Sequence, residues 1–351
     1  MTMINQALRE RCLPSLKSRA EMLEILQREE YGYLPKKPEQ IRFEETENYI
    51  LNFCAGKANA SKIVATCVLG GKEFSFPFYS VIPTKPGKYP FFIHINFRDD
   101  VPDRYMPSEE LVDNGFAVLS FCYKDVTSDD GDFTDGLAGV LFPNGERTGS
   151  DVGKIGMWAW AAQRVMDYAE TRGDVLDLSR ATVCGHSRLG KTALLTAATD
   201  DRFAFAYSND SGCSGAAVTR GKRGEDVRKI YTKFPFWFCP NYGAYMDKED
   251  EMPFDQHWLI ASIAPRCVCV GSASEDLWAD PEAEMLACVA ASPAFEACGQ
   301  RGFVCGDRYA AVGEAYFEGS IGYHLREGLH YFSRADWHRL IEFVNFHFRK
   351  Q

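Results

Sequence analysis

The chain has 351 residues, 46% of them hydrophobic and 13% aromatic, enough to bury the core of one large α/β domain. Its net charge of −10 offers no broad basic surface to displace the counterions of a phosphate backbone, which argues against a nucleic-acid partner. No apolar run is long enough to cross a bilayer, and Met1-Thr-Met-Ile-Asn5 lacks the basic and apolar stretches of a signal peptide, so no membrane partner and a reducing, cytoplasmic setting are the expectation.

The elements follow in chain order. Arg19 to Glu30 has apolar residues at helical spacing and Pro35 closes the segment, which predicts an N-terminal helical extension over about residues 1–35. Ile63 to Leu69, Gly70-Gly71 and Phe74 to Ile82 read as a hairpin of edge strands. Tyr89 to Phe97 and Phe116 to Tyr123 are continuous apolar runs, as expected for strands covered on both faces. A Trp- and Ala-rich helix over Gly153 to Thr171 precedes the strand Ala181 to Cys184, and a helix over Lys191 to Ala198 follows it. Phe203 to Ser208 is the next strand, then come an aromatic segment from Phe234 to Tyr245 and a helix over about Phe254 to Ala264. Arg266 to Gly271 (strand), Glu282 to Ala291 (helix), Ile321 to Leu325 (strand) and Ala335 to His347 (helix) complete the chain. Strands alternating with helices predict a mostly parallel sheet with helices on both faces, and the absence of repeats or Pro/Gly-rich linkers predicts a single domain over residues 1–351.

Two further features bear on metals and redox state. Acidic residues crowd into Asp99 to Asp113 and Asp125 to Asp135, without the spacing of an EF-hand loop, and read as solvated loop surface. Of twelve cysteines, Cys67, Cys122, Cys184, Cys267 and Cys269 lie in apolar strands, where a thiol serves as a small hydrophobe, and no C-x-x-C pair suggests zinc.

The chemistry concentrates in Ala181-Thr-Val-Cys-Gly-His-Ser-Arg-Leu-Gly-Lys191. A strand that turns sharply into a helix with a serine on the turn is how α/β-hydrolases present a nucleophile, with the helix N-terminus lending amides to an oxyanion. The usual G-x-S-x-G spacing is altered: the second glycine comes one residue late and Arg188 follows Ser187 directly. In that fold the triad runs Ser, acid, His, each beyond the carboxyl end of a strand. Asp210 and Asp276 both satisfy that rule, though each is also a plausible turn former or cap. Among seven histidines, His94 and His324 sit within strands, His257 lies on a helix among apolar neighbours, and His338 and His347 lie on the closing helix. His186 adjoins the serine, where an elbow turns side chains apart. His330, just past the last strand, is the expected base. Arg188 is read as a fixed positive charge beside the reacting carbonyl, or as a salt bridge to one of the many acids; Lys191, one turn on, is a candidate for the same pocket.

Gly185-His-Ser-Arg-Leu-Gly-Lys191 resembles the G-C-S-R-x-G-K signature of the glucuronoyl esterases, carbohydrate esterase family fifteen. Asp210-Ser-Gly-Cys-Ser-Gly-Ala-Ala217 resembles that family's E-S-G-x-G-G-A segment, and Ala261-Ser-Ile-Ala-Pro-Arg266 its A-L-I-A-P-R run. Ser274 to Pro281 is similar to the loop that carries an alternative acid and a sugar-contacting tryptophan, and Glu30-Tyr-Gly-Tyr-Leu-Pro35 is also similar to the family. The resemblance implies an α/β-hydrolase fold with Ser187 as nucleophile, His330 as base, Arg188 at the oxyanion, Lys191 toward sugar hydroxyls and Trp278 as a wall. Asp210 is one methylene shorter than the family's glutamate, which favours Asp276 as the acid with Asp210 as the alternative; His186 stands where a cysteine is usual. The implied substrate is a small uronosyl or oligosaccharide ester, cleaved without cofactor or metal. Two other readings compete: a carbohydrate O-acetyl esterase with the same triad, and a catalytically idle sugar-binding protein on the same fold.

Overall fold

In the computed structural model, which describes residues 3–101 and 103–348, the apolar runs assemble into one ten-stranded sheet. The strands are β1 (Gln40–Ile50), β2 (Ala58–Leu69), β3 (Lys72–Pro83), β4 (Tyr89–Asn96), β5 (Ala117–Cys122), β6 (Leu176–His186), β7 (Phe205–Asn209), β8 (Cys267–Ala273), β9 (Ala315–Tyr316) and β10 (Ile321–Arg326). Their spatial order is β1-β2-β3-β5-β4-β6-β7-β8-β10-β9. β5, β4, β6, β7, β8 and β10 run parallel, while β1, β2, β3 and β9 pair antiparallel at the two ends. The chain thus has the mostly parallel, doubly covered sheet of an α/β-hydrolase.

Alternation along the central strands divides the core between two faces. Phe91, Ile93 and Ile95 of β4 point to one side, with the helices Lys154–Thr171, Arg188–Thr199, His257–Ala261 and Pro281–Ala297. Phe92 points to the other, among Leu111, Val112, Trp337, Leu340 and Phe343 of the helices Ser108–Asp113 and Arg334–Phe348. With both faces buried, the strands read as unbroken apolar runs, which is why they were visible in the sequence.

The edges were less visible. β1 was not predicted, because it alternates Ile41 and Phe43 with charged residues and then runs through Glu44, Glu45 and Glu47 largely exposed. The same charges protect a sheet edge from pairing with another chain. The helix expected over about Phe254 to Ala264 is regular only over His257–Ala261 before Ala264-Pro265 turns the chain into β8, and the one expected to end at Ala291 runs through Pro293 to Ala297. The N-terminal segment forms the helices Met3–Glu10 and Arg19–Leu26, the second closed at its start by a Ser18–Glu21 capping box and prolonged by a π-helical turn over Gln27–Tyr31. Arg19 fastens it to the core by donating to the carbonyls of Ala198 (2.8 Å) and Ser262 (2.7 Å). All twelve cysteines are unpaired, and no described helix is long and apolar enough to cross a membrane.

Candidate active site

Four consecutive parallel-strand ends converge on one cleft. Ser187 follows β6, Asp210 follows β7, Asp276 lies beyond β8 and His330 beyond β10. All four line a cleft of about 360 Å³, together with Arg188, Lys191 and Trp278.

The turn at Ser187 has φ 57° and ψ −127°, a strained left-handed conformation that lifts the side chain out of the sheet. Its amide is held by the Asn209 carbonyl at 2.8 Å. The altered glycine spacing has a packing cause. A Cβ on Gly185 would sit 2.2 Å from the Leu189 carbonyl oxygen, so the first turn of the following helix lies directly on the glycine. A Cβ on Gly190 would lie 2.9 Å from Ser208 Oγ and 3.1 Å from Ser211 Cβ, so this second glycine lets the helix close onto the loop after β7.

His330 Nδ1 lies 2.6 Å from Asp276 Oδ2; the Asp276 side chain is buried and the imidazole is 44% exposed. Asp276 also accepts from the Ala279 amide at 3.2 Å. Asp210 is buried just behind: a ligand atom of each of Asp210, Asp276 and His330 lies within 4.8 Å of the others. It is engaged elsewhere, accepting from the Ala273 amide (2.7 Å) and from the Arg326 guanidinium (3.2 Å).

Sequence reasoning missed Arg326. Its guanidinium donates to Asp336 (2.7 Å), to the carbonyls of Glu327 (3.0 Å) and Leu329 (3.0 Å), and to that of Tyr331. It therefore pegs the loop on both sides of His330, with Asp210 and Asp336 as anchors. An arginine just past a predicted strand carries no sequence signal for such a task.

Of the two readings of Arg188, the structure contains the salt bridge. Arg188 pairs with Asp129 and lines the cleft, its guanidinium 4.6 Å from the Trp237 ring centroid and 5.5 Å from that of Phe234. Asp129 in turn accepts from the Trp237 indole (2.7 Å) and Tyr123 hydroxyl (2.8 Å). The reading of Asp125 to Asp135 as solvated surface holds for the exposed Asp130 and Asp132 but not for Asp129, which is largely buried, while the neighbouring Thr127 and Ser128 hydroxyls accept from the buried Lys154 ammonium at 2.9 and 3.1 Å. Asp129 thus neutralises Arg188, and Asp135 lies 3.6 Å from the Lys154 ammonium.

Lys191 is buried, donates to the Ser211 carbonyl, and has its pKa lowered by burial. Trp278 lines the cleft and is 54% exposed. Glu225, Lys229, Lys233, Phe234 and Trp237 complete the wall and were not anticipated, although the aromatic segment was noted without a role. His186 turns away from Ser187 toward Asn209 Oδ1 (2.7 Å), yet its ring centroid comes to 4.3 Å from that of His330. Burial keeps it neutral, its pKa well below the usual histidine value.

Two carboxyls beneath the cleft are held partly or wholly protonated near neutrality. Glu30 accepts from the Gln256 amide at 2.9 and 3.1 Å and is pushed by burial to about 8; Glu284 accepts from the Gly212 amide and Ser272 hydroxyl and is pushed by burial to about 7. A raised native pKa stabilises the fold below the unfolded value of 4.5 and loses that contribution as pH rises through 7 to 8. Buried His94 and His324, at about 3 and 4, act oppositely and only below pH 6.5. The melting temperature is therefore expected to fall between pH 6.5 and 8, and Glu30→Gln to flatten that fall; calorimetry across the range checks both.

Comparison with known proteins agrees with this geometry. The family model for glucuronyl esterase of fungi matches residues 65–299. The carbohydrate esterase MZ0003, from an unknown prokaryotic organism, is 40% identical over 241 residues, covering 68% of this chain and 55% of its own. A 4-O-methyl-glucuronoyl methylesterase of Podospora anserina is 28% identical over 71% of this chain and 49% of its own, so the chain spans about half the length of these curated relatives. Among solved structures, a glucuronoyl esterase from Solibacter usitatus superposes with TM-score 0.84 at 31% identity, covering 94% of this chain and 91% of that one. A promiscuous CE15 esterase from a marine bacterial metagenome gives 0.83 at 30%, with 94% and 91% covered. With the family model matching more than half of the chain, on the segment that carries the elbow and both candidate acids, this protein belongs to the glucuronyl esterase family.

Proposed function

We propose that the protein hydrolyses esters whose acyl part is a glucuronic acid residue, through an acyl-enzyme on Ser187. The observation that carries this reading is the placement of two cations, Arg188 and Lys191, in one cleft with Ser187 and the His330–Asp276 pair. Ser187 Oγ attacks the uronoyl carbonyl while His330 Nε2 takes its proton, and Asp276 at Nδ1 fixes the tautomer and stabilises the imidazolium. The tetrahedral oxyanion lies against the first-turn amides of the helix Arg188–Thr199 and the Arg188 guanidinium, where a site partly closed to water strengthens both. Collapse expels the alcohol, which takes the proton from His330. Water then attacks the acyl-enzyme by the same route and releases the uronate. Lys191 donates to sugar hydroxyls, Glu225 accepts from them, and Trp278 covers a sugar face.

Arg326 serves in this scheme as a positioning residue and Asp210 as its anchor. Arg326→Lys keeps the charge and loses the fork, so it is expected to lower kcat about 10- to 100-fold per titrated active site with KM little changed. A lowered melting temperature with unaltered kcat contradicts the assignment.

The test of the function is turnover of a glucuronate benzyl ester beside an acetylated xylo-oligosaccharide. Hydrolysis of the uronate ester with little release of acetate supports the proposal. The reverse preference keeps the serine chemistry and moves the uronic carboxyl out of it, as in an O-acetyl esterase.

A further inference from the structure

The charge around the cleft is not that of the rest of the protein. Arg220 to Lys233 holds six basic and two acidic residues in a chain of net charge −10, and this segment forms one wall of the cleft. Most of its cations are neutralised: Arg220 by Asp255, Arg223 by Glu282, Arg228 by Asp247 and Lys229 by Asp226. Lys222 and Lys233 are the exceptions. The Lys222 ammonium donates only to the carbonyls of Arg223 (2.7 Å) and Trp278 (2.9 Å), and that of Lys233 lies 5.1 Å over the Phe234 ring. Neither forms an ion pair with a carboxylate among the described residues, and neither does Lys191 deeper in the same cleft. Against these three stands Glu225, a carboxylate on the same cleft wall. Lys233 lines the cleft wall, and Lys222 borders it through the carbonyl of Trp278, which does.

Resting on the esterase reading above, we infer that Lys222 and Lys233 form an outer subsite for an anionic group on a sugar flanking the esterified uronate, so that the preferred substrate is an acidic oligosaccharide carrying its ester among free carboxylates or sulfates. The chemistry is that of a point-charge contact on a rim open to solvent: two flexible ammoniums impose little geometry on the anion but raise its local concentration, and they do so in a manner that salt screens. The Trp278 side chain, whose backbone carbonyl Lys222 holds, gives the flanking sugar an apolar surface next to that charge.

Three trisaccharides test this, sharing a central methyl-esterified glucuronate and differing in outer units of neutral xylose, glucuronate or sulfated xylose. At low ionic strength kcat/KM is expected to be about 10-fold higher for an anionic trisaccharide than for the neutral one, and the ratio to fall toward one in 0.5 M salt. A rise for glucuronate flanks alone, or for sulfated flanks alone, identifies which anion the subsite takes. The ratio of anionic to neutral kcat/KM is expected to drop toward one in Lys222→Gln/Lys233→Gln and to invert in Lys233→Glu; Lys233→Gln alone, whose side chain touches only a ring, keeps the comparison if the double variant fails to fold. Equal turnover of all three by the unaltered enzyme, or a ratio that survives the substitutions, overturns the subsite. Failure to cleave even the neutral trisaccharide and the benzyl ester overturns the esterase reading itself.

Discussion

Asp276→Asn is expected to lower kcat on the order of 10⁴-fold on a glucuronate ester, with KM changed little. The carboxylate stands 2.6 Å from His330 Nδ1 and accepts a second bond from the Ala279 amide, so its orientation is fixed independently of the histidine. An amide of the same shape presents its NH₂ to Nδ1, stabilises the tautomer with the proton on Nε2, and removes the lone pair that takes the serine proton. It also leaves the imidazolium without its counter-charge. Asp210→Asn is expected to cost much less, because that carboxylate faces the Ala273 amide and Arg326 and not the imidazole. Steady-state kinetics of the two variants separate the roles; equal, moderate losses would mean that the two carboxylates share the task.

Ser187→Ala is expected to have the larger effect, with kcat falling on the order of 10⁶-fold and fluorophosphonate labelling abolished. Among the described residues no other hydroxyl is delivered on a strained strand-to-helix turn in this cleft, so the acyl-enzyme route closes altogether. Arg188 is held by Asp129 and the rings of Trp237 and Phe234, and Lys191 by the Ser211 carbonyl, so the variant should still bind the uronate product. Calorimetric titration with glucuronate checks this, and unaltered labelling would place the reactive serine elsewhere.

How much of this was legible in the sequence differs from residue to residue. The elbow was legible because its geometry forces glycine where the helix turn rests on β6, and the one-residue delay of Gly190 records contact with the loop after β7. His330 was legible because strand ends are where a parallel sheet places its chemistry, and the other histidines sat in elements. The two acids were not separable. Both follow strands, and their partners are decided by Arg326, whose peg on the His330 loop depends on contacts with Asp336, distant in sequence from Asp210. Asp129 was hidden in a run of acids that resembles solvent-facing charge, because its pairing with Arg188 and the burial of Lys154 beside that loop leave no periodic trace. The exposed first strand was hidden for the converse reason, since an edge kept polar against aggregation lacks the apolar pattern by which strands are found.

The most direct test of the central claim is the covalent intermediate. The enzyme is mixed with excess glucuronate aryl ester, quenched in acid during turnover, digested and mapped by mass spectrometry. The account predicts one glucuronoyl group on the peptide containing Ser187, absent in Ser187→Ala. Turnover of the ester with no adduct on that peptide, or with the group carried by another residue, would contradict it.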